Sequence, residues 1–287
     1  MNLSQLYKSF TSAFEKISDS PAADARILIC HCLGITQTQL AISPDEEVPA
    51  DKMDELKKLK EAREAGQPVA YLTGERGFYE SVFLVSPATL IPRADTETLV
   101  EEAIADIAER FADRDSVRVL DLCCGTGCIG ISVAKELAQA FDKVELVLSD
   151  VSKKAIEICR KNAKNLIDED NIDVSFNVGN LFEGLTPSFD AILSNPPYIA
   201  TSVIPTLEKQ VQFEPVLALD GGPDGLSFIR SIAESAKDFL VPGGLLQMEI
   251  GFDQAKASSD ILASSGYSEI DVIQDLAGND RVVKAVN

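Results

Sequence analysis

The sequence has few basic residues for its acidic content. Its 287 residues include 26 lysines and arginines against 46 aspartates and glutamates, which gives a formal net charge of −20 at pH 7. Proteins that bind nucleic-acid phosphates obtain much of their affinity by neutralising them with lysine and arginine. The charge therefore counts against DNA or RNA as the main partner, and it favours solubility.

Long apolar runs are also missing. No stretch approaches the roughly 18 apolar residues that a transmembrane helix needs, so we expect no membrane span. Residues 1–10 lack the basic and apolar regions of a secretory signal. The six cysteines are few and unevenly spread for a disulfide scaffold in a chain of this length. We therefore expect a cytoplasmic protein with reduced thiols.

Histidine is nearly absent, because His31 is the only one. It stands between Cys30 and Cys32, but such neighbours on a helix point to different faces, and no second pair of ligands is nearby. We expect ordinary helix packing here and no metal. Since this histidine is far from the motifs described below, the sequence does not favour histidine-based acid–base catalysis.

The first part of the chain is predicted to be helical. Hydrophobic residues make up 45% of the sequence, enough for a sizeable core, and the length suits about two average domains. Ser20 and Pro21 are typical of a helix start, and Gly34 of its end. Because helices this short need partners, we expect a helical bundle over residues 1–73. Strand-like sequence broken by turn residues predicts a β-hairpin linker over residues 74–92.

The third predicted domain covers residues 93–287. After residue 115, strand and helix patterns alternate, which predicts an α/β fold with a mostly parallel sheet and helices on both faces. The strands are expected at residues 117–122, 144–149, 174–178, 189–194 and 244–250 and in two closing segments. Ligands of such sheets bind beyond the carboxyl ends of the strands.

A glycine-rich turn follows the first of these strands. Within residues 119–130 (VLDLCCGTGCIG), Gly125 and Gly127 permit a sharp turn and the close approach of a ligand to the backbone. The helix that follows presents its free N–H groups. Asp150 ends the next strand and can accept hydrogen bonds from both hydroxyls of a ribose. This combination predicts a cofactor that contains a nucleoside.

The turn alone does not identify that cofactor. Gly125, Gly127 and Gly130 fit G-x-G-x-x-G, the spacing associated with a dinucleotide such as NAD. The same N–H groups could equally receive the carboxylate of S-adenosylmethionine. At this point both cofactors remain open.

The strand at residues 189–194 leads into the tetrapeptide NPPY (residues 195–198). Its two prolines hold the chain extended and remove two N–H donors, which leaves the Asn195 side-chain oxygen and the Pro196 carbonyl as acceptors. Together with the flat ring of Tyr198, they suit a planar NH₂ group. The acceptors could hold its nitrogen about 3–3.5 Å from an electrophilic methyl group. This chemistry favours S-adenosylmethionine over NAD.

The motifs DLCCGTG, Asp150 and SNPPYI together resemble those of S-adenosylmethionine-dependent class I amino-methyltransferases. Further segments are similar, in order, to the HemK/PrmC family: QPVAYLTGERGFYE (67–80), TLIPRADTETLVEE (89–102), FEPVLALDGGPDGL (213–226), GGLLQMEIG (243–251) and DLAGNDRVV (275–283). The resemblance extends over the whole chain. It implies a Rossmann-like class I methyltransferase domain with a seven-stranded, mostly parallel sheet, behind an N-terminal domain that recognises the substrate.

The resemblance also implies an activity and a partner. Members of the HemK/PrmC family methylate the side-chain amide nitrogen of the glutamine in the GGQ motif of peptide chain release factors. We therefore expect S-adenosylmethionine as the cofactor and a release factor as the protein partner, with no nucleic acid or membrane partner. We expect the enzyme to be a monomer.

Site residues follow from the same resemblance. It implies cofactor contacts at Cys123, Cys124, Gly125, Thr126, Gly127, Asp150, Asn180, Leu181 and Asn195. It implies glutamine contacts at Asn195, Pro196, Pro197 and Tyr198, of which Asn195, Pro196 and Tyr198 are expected to be catalytic. Arg93 and Glu97 are expected to brace the hairpin and the following helix over the pocket.

Three positions depart from the family pattern. The family usually has glycine where Cys123 stands, so a backbone contact there must accommodate a Cβ atom. It also commonly has an acid and then an aromatic residue at the positions of Asn180 and Leu181, which precede Phe182. Asn180 can still accept a hydrogen bond from the adenine amine, whereas Leu181 supplies no ring for stacking.

Two other functions remain as alternatives. An RNA or DNA amino-methyltransferase is one, because adenine N6 presents the same NH₂ geometry to NPPY, but the acidic charge argues against it. A non-catalytic scaffold that binds S-adenosylmethionine is the other. An intact NPPY argues against the scaffold, which would not need these acceptors.

Overall fold

The computed structural model describes residues 1–287 and divides them into two compact units. One unit comprises residues 1–75 and 208–213, and the other comprises residues 76–207 and 214–287. The boundaries expected from the sequence, at residues 1–73, 74–92 and 93–287, remain predictions. None of the helices combines the length and the apolar character that crossing a bilayer requires.

The first unit is helical. Its helices are α1 (Leu3–Phe14), α2 (Pro21–Leu33), α3 (Gln37–Ile42), α4 (Met53–Glu64) and α5 (Val69–Thr73). Pro21 begins α2, and Gly34 ends it in the left-handed conformation at φ 64°. The core contains Leu6, Phe10, Phe14, Leu28, Ile29 and Leu56. Cys32 is buried in this core while His31 is exposed, so the two residues point in different directions.

A two-stranded sheet follows, formed by β1 (Glu75–Phe78) and β2 (Ser81–Leu84). The strand-like composition that continues to residue 92 does not form further strand. Pro87 and Pro92 lack the N–H groups that a ladder requires, and residues 85–93 are irregular. The hairpin is therefore shorter than the segment with strand-like sequence.

The second unit contains a seven-stranded sheet. Its strands are β3 (Ser116–Leu122), β4 (Lys143–Asp150), β5 (Ile172–Val178), β6 (Phe189–Ser194), β7 (Leu240–Glu249), β8 (Ser268–Gln274) and β9 (Asp280–Val286). Their order is β5-β4-β3-β6-β7-β9-β8, and only β9 runs antiparallel to its neighbours. This topology confirms the predicted α/β fold with a mostly parallel sheet.

Helices cover both faces of this sheet. They are α6 (Glu97–Arg110), α7 (Cys128–Leu137), α8 (Lys153–Leu166), α9 (Ser227–Ser235) and α10 (Ala255–Ser264). Side chains alternate along β3, so Val119 packs with α6, α7 and α8 while Leu120 packs with α9 and α10. β6 is buried along its whole length, as expected for a central parallel strand.

The register of the central strands determines where the site lies. Leu122 at the end of β3 pairs with Ser149 of β4 on one side and with Ser194 of β6 on the other. The residues that follow these three, among them Asp150 and Asn195, therefore emerge together at the carboxyl edge of the sheet.

Candidate active site

The glycine-rich turn after β3 has a left-handed backbone at three positions. Cys123, Gly125 and Gly127 have φ angles of 61°, 53° and 80°. The turn is held by hydrogen bonds from the Cys124 N–H to the Ser149 carbonyl (3.0 Å) and from the Gly127 N–H to the Cys124 carbonyl (2.7 Å). A Cβ atom on Gly127 would lie 2.7 Å from Cys159 Sγ, so glycine is required there by both conformation and space.

Cys123 occupies a backbone conformation that glycine adopts more easily. A positive φ costs a residue with a Cβ atom about 1–2 kcal/mol, and glycine avoids this cost. The turn therefore keeps its shape here with a conformation that its cysteine does not favour.

Asp150 connects this turn to the end of β4. Its Oδ2 accepts a hydrogen bond from the Gly125 N–H (2.9 Å) and its Oδ1 from the Ser152 N–H (2.8 Å). Burial raises the pKa of this carboxyl, and the two N–H groups oppose that rise. Because each carboxylate oxygen has two lone pairs, each can accept one further hydrogen bond.

One cavity lies at this edge of the sheet. Nine of the residues expected at the site line it: Cys123, Cys124, Gly125, Thr126, Asp150, Asn180, Leu181, Asn195 and Pro197. Gly127, Pro196 and Tyr198 do not line it. Sequence reasoning missed much of the apolar wall, which includes Leu90, Pro92, Ile129, Ala155, Pro215, Leu217 and Phe228. Several of these belong to the segments TLIPR and FEPVLAL. The sequence marked both segments as similar to the HemK/PrmC family but assigned no role to these apolar residues.

The segment after β5 provides no aromatic ring to the cavity. Leu181 lines the cavity and has a positive φ of 50°. The next residue, Phe182, is buried and stacks on Phe239 with ring centroids 4.6 Å apart. The wall at this point is therefore aliphatic.

Hydrogen bonds fix both ends of the NPPY tetrapeptide. Asn195 Nδ2 donates to Thr96 Oγ1 (3.4 Å), and the Tyr198 hydroxyl donates to Glu249 Oε1 (3.1 Å). A Cβ atom on Gly221 would lie 2.7 Å from Tyr198 Cα, and one on Gly225 would lie 2.4 Å from the Tyr198 carbonyl oxygen. These glycines let the 219–225 loop pack directly on the NPPY backbone.

Charged side chains hold the segments over the cavity. Glu97 Oε1 at the start of α6 accepts a hydrogen bond from the Tyr79 N–H of the hairpin (2.9 Å). Arg93 forms an ion pair with the buried Glu214, whose Oε2 accepts from the Ile91 N–H (2.9 Å). Glu214 had no role assigned from the sequence, although it lies in the FEPVLAL segment.

Burial favours the protonated form of the thiols of Cys123, Cys124 and Cys128 at the turn. Cys124 Sγ and Cys159 Sγ lie 3.9 Å apart in the core. Burial raises the pKa of Cys123 and of Cys128 to about 12. Since the thiolate is the reactive form, Cys123 and Cys128 are poor nucleophiles at neutral pH.

Comparisons with known proteins find relatives that match most of the chain. Residues 5–74 match the PrmC N-terminal domain, and residues 98–210 match the methyltransferase small domain. The release factor glutamine methyltransferase of Agrobacterium fabrum is 40% identical over 266 residues, which cover 92% of this chain and 89% of that protein. The enzyme of the same name from Caulobacter vibrioides is 36% identical over 287 residues, covering 98% and 96%.

A solved structure shares the fold at lower identity. The hMettl16 catalytic domain in complex with MAT2A 3′UTR hairpin 6 covers 71% of this chain and 74% of its own, with a TM-score of 0.53 at 15% identity. That likeness shows the fold alone. On the extent and identity of the sequence matches, the chain belongs to the family of release factor glutamine methyltransferases.

Proposed function

We propose that this protein transfers a methyl group from S-adenosylmethionine to the side-chain amide nitrogen of the glutamine in the GGQ motif of a peptide chain release factor. The main support for this proposal is that Asp150, the expected cofactor-binding residue, and Asn195, the expected amide-binding residue, line the same cavity. Its relatives in Agrobacterium fabrum and Caulobacter vibrioides bear the name of this activity.

The residues present fit the cofactor. Both oxygens of Asp150 keep a lone pair for a ribose hydroxyl after binding the Gly125 and Ser152 N–H groups. Apart from Gly125 and its two chain neighbours, no residue has an atom within 4 Å of the position that a Cβ on Gly125 would take, so a ligand can approach the backbone. Aliphatic side chains such as Leu181 and Ala155 offer an apolar wall to a nucleobase. When bound, S-adenosylmethionine supplies a methyl group activated by a sulfonium sulfur.

The chain's own contribution is to hold the amide. A carboxamide nitrogen is a poor nucleophile because its lone pair is delocalised. Since Asn195 Nδ2 donates to Thr96, Asn195 Oδ1 is free to accept one hydrogen of the substrate NH₂ group. We assign the other hydrogen to the Pro196 carbonyl, because Asn195 and Pro197 on either side of it both line the cavity. These acceptors orient the nitrogen and stabilise positive charge that develops on it. A nitrogen that carries this charge is acidic, so the site needs acceptors rather than a strong base.

The proposal extends to partners and location. We infer that the helical unit contributes to recognition of the release factor, that the enzyme acts as a monomer without nucleic acid, and that it works in the cytoplasm. The net charge of −20 supports the exclusion of nucleic acid. Light scattering with and without a release factor measures the stoichiometry, and a one-to-one complex is expected.

Label transfer tests the proposal. The enzyme is incubated with methyl-labelled S-adenosylmethionine and, separately, with a release factor, its GGQ-to-GGA variant and total RNA. We expect label on the unmodified release factor alone. Label on the RNA, or equal label on both release factors, would overturn the proposal.

A further inference from the structure

A buried carboxylate lies behind the NPPY tetrapeptide. Glu249 is the last residue of β7 and is 1% exposed. The neighbouring register pair, Ser194 with Met248, brings this strand end beside the residue that follows β6, which is Asn195. Glu249 Oε1 accepts the hydrogen bond of the Tyr198 hydroxyl, whereas its Oε2 is buried without a hydrogen-bond partner of ordinary geometry. This carboxylate therefore needs a second donor.

Thr96 is the hydroxyl placed to supply it. Thr96 is 2% exposed, it accepts from Asn195 Nδ2, and it also interacts with Glu249, whose pKa it lowers. A hydroxyl has one proton to donate, and an ionised carboxylate can only accept. If the Thr96 proton is directed at Glu249, the Thr96 oxygen can only accept from Asn195. The NH₂ group of Asn195 must then face Thr96, and its Oδ1 faces away.

Further charged groups surround Glu249. Arg281 pairs with Asp275 (3.1 Å) and with Asp95 (3.3 Å). Burial has the largest effect on the pKa of Glu249 and raises it, and Asp95 raises it further, whereas the hydrogen bonds of Thr96 and Tyr198 and the charge of Arg281 favour the ionised form. The segments that contain Thr96, Glu249 and Arg281 thus meet behind NPPY, although the sequence suggested no role for these three residues.

We propose that Glu249 and Thr96 are positioning residues that set the amide orientation of Asn195 and so make the site specific for a substrate NH₂ group. This inference rests on the proposed function for its substrate. We call the hydrogen bonds from Asn195 to Thr96 and from Thr96 to Glu249 the relay. With the relay in place, Asn195 presents an acceptor, which suits the carboxamide of glutamine. With the amide reversed, Asn195 would present a donor, which suits a carboxylate and leaves the substrate NH₂ group without its acceptor.

Matched variants of Thr96 test the relay. Thr96→Val keeps the shape and removes the hydroxyl, whereas Thr96→Ser retains the hydroxyl. For Thr96→Val we expect kcat on the release factor to fall about 10- to 100-fold while the dissociation constant of the cofactor changes less than about threefold. Thr96→Ser should recover kcat to within about threefold of the unmodified enzyme. Glu249→Gln should resemble Thr96→Val, because a glutamine can donate to Thr96 and reverse the relay.

A second readout does not depend on activity. The side-chain NH₂ resonances of Asn195, assigned by their loss in Asn195→Ala, report its hydrogen bond. We expect slow hydrogen exchange in the unmodified protein and in Thr96→Ser, and faster exchange in Thr96→Val. If the unmodified enzyme labels no release factor, the proposed function is refuted. The exchange measurement still tests the hydrogen bonds among Asn195, Thr96 and Glu249, because it does not require activity.

Three results would overturn the relay. They are an unchanged kcat in Thr96→Val, a Thr96→Ser variant as impaired as Thr96→Val, and equal exchange of the Asn195 amide in all three proteins. Thermal unfolding of each variant distinguishes a loss of positioning from a loss of folding.

Discussion

The hydroxyl of Tyr198 donates a 3.1 Å hydrogen bond to the buried Glu249, and Tyr198 is not part of the cavity wall. Burial and the nearby Glu249 raise the pKa of Tyr198, so its hydroxyl stays protonated as the donor. The tyrosine of NPPY therefore serves as an anchor for the tetrapeptide from behind, while Asn195 reaches the cavity.

Tyr198→Phe should reduce both stability and activity. It removes one donor from a buried carboxylate, which should lower the free energy of unfolding by about 1–3 kcal/mol. It should also lower kcat several-fold because Glu249 is less firmly held. Chemical denaturation and steady-state kinetics measure the two effects. As a control, Tyr7→Phe removes the hydrogen bond to the Ala22 carbonyl in the helical unit, and it should leave kcat unchanged. A normal kcat in Tyr198→Phe would contradict the anchoring role.

Asn195→Ala should abolish turnover with little effect on cofactor affinity. The substitution removes the side-chain acceptor for the substrate amide, so we expect a fall in kcat of about 100-fold or more. The cofactor dissociation constant, measured by calorimetry, should change less than about threefold. Asn171→Ala is a suitable control, because Asn171 binds the Ala138 and Phe141 carbonyls at the opposite end of the strands. Turnover that survives in Asn195→Ala would refute the orienting role.

Cys123→Gly should preserve or increase stability. The left-handed backbone at Cys123 costs about 1–2 kcal/mol, and a glycine would not pay this cost. The resulting gain in the free energy of unfolding is partly offset, by about 0.5–1 kcal/mol, because glycine loses more chain entropy on folding. Cys123→Val should instead destabilise the protein by about 1–2 kcal/mol, because a β-branched residue tolerates this conformation poorly. Urea denaturation gives both values. The conformational explanation fails if the glycine variant proves less stable than the valine variant.

Asp121 should make stability depend on pH. It is fully buried, its Oδ2 accepts from the Gly130 N–H, and its Oδ1 has no partner. Burial raises the pKa of this carboxyl to about 7. Because the folded pKa lies above the unfolded one, the contribution to stability is complete below about pH 4 and is lost as pH rises through about 7. Relative to Asp121→Asn, the unmodified protein should therefore lose on the order of 1–4 kcal/mol over this range.

Asp275 provides the matched control of opposite sign. Hydrogen bonds from the Asn279 N–H and from Arg281 lower its pKa, so its contribution to stability is present above the unfolded pKa and is lost as pH falls. Relative to Asp275→Asn, the unmodified protein should gain stability as pH rises towards about 4, whereas relative to Asp121→Asn it should lose stability between about pH 4 and 7. An unmodified protein that loses no stability relative to Asp121→Asn between about pH 4 and 7 would show that burial of Asp121 does not control the dependence.

The sequence predicted the features that depend on neighbouring residues. The spacing of apolar residues predicted the positions of the strands, and Gly125 and Gly127 predicted the turn. Both patterns depend only on residues that are close together in the sequence. The strand composition of residues 86–92 was misleading, since Pro87 and Pro92 prevent a ladder there.

Contacts between distant segments could not be predicted in this way. Thr96 and Asn195 are 99 positions apart, Tyr198 and Glu249 are 51 apart, and Arg93 and Glu214 are 121 apart. No local pattern links such residues, so the buried carboxylate behind NPPY emerged only from the packed structure. The motif segments signalled that these regions matter, but the partner of each side chain depends on the tertiary fold.

The position of the methyl group on the product tests the proposed activity directly. A release factor is incubated with the enzyme and S-adenosylmethionine, and its peptides are sequenced by tandem mass spectrometry. We expect one added methyl group on the side-chain amide of the GGQ glutamine, and none when the Asn195→Ala variant replaces the unmodified enzyme. A methyl group on another residue would contradict the proposed activity. So would a GGQ glutamine that stays unmethylated after prolonged incubation with excess S-adenosylmethionine.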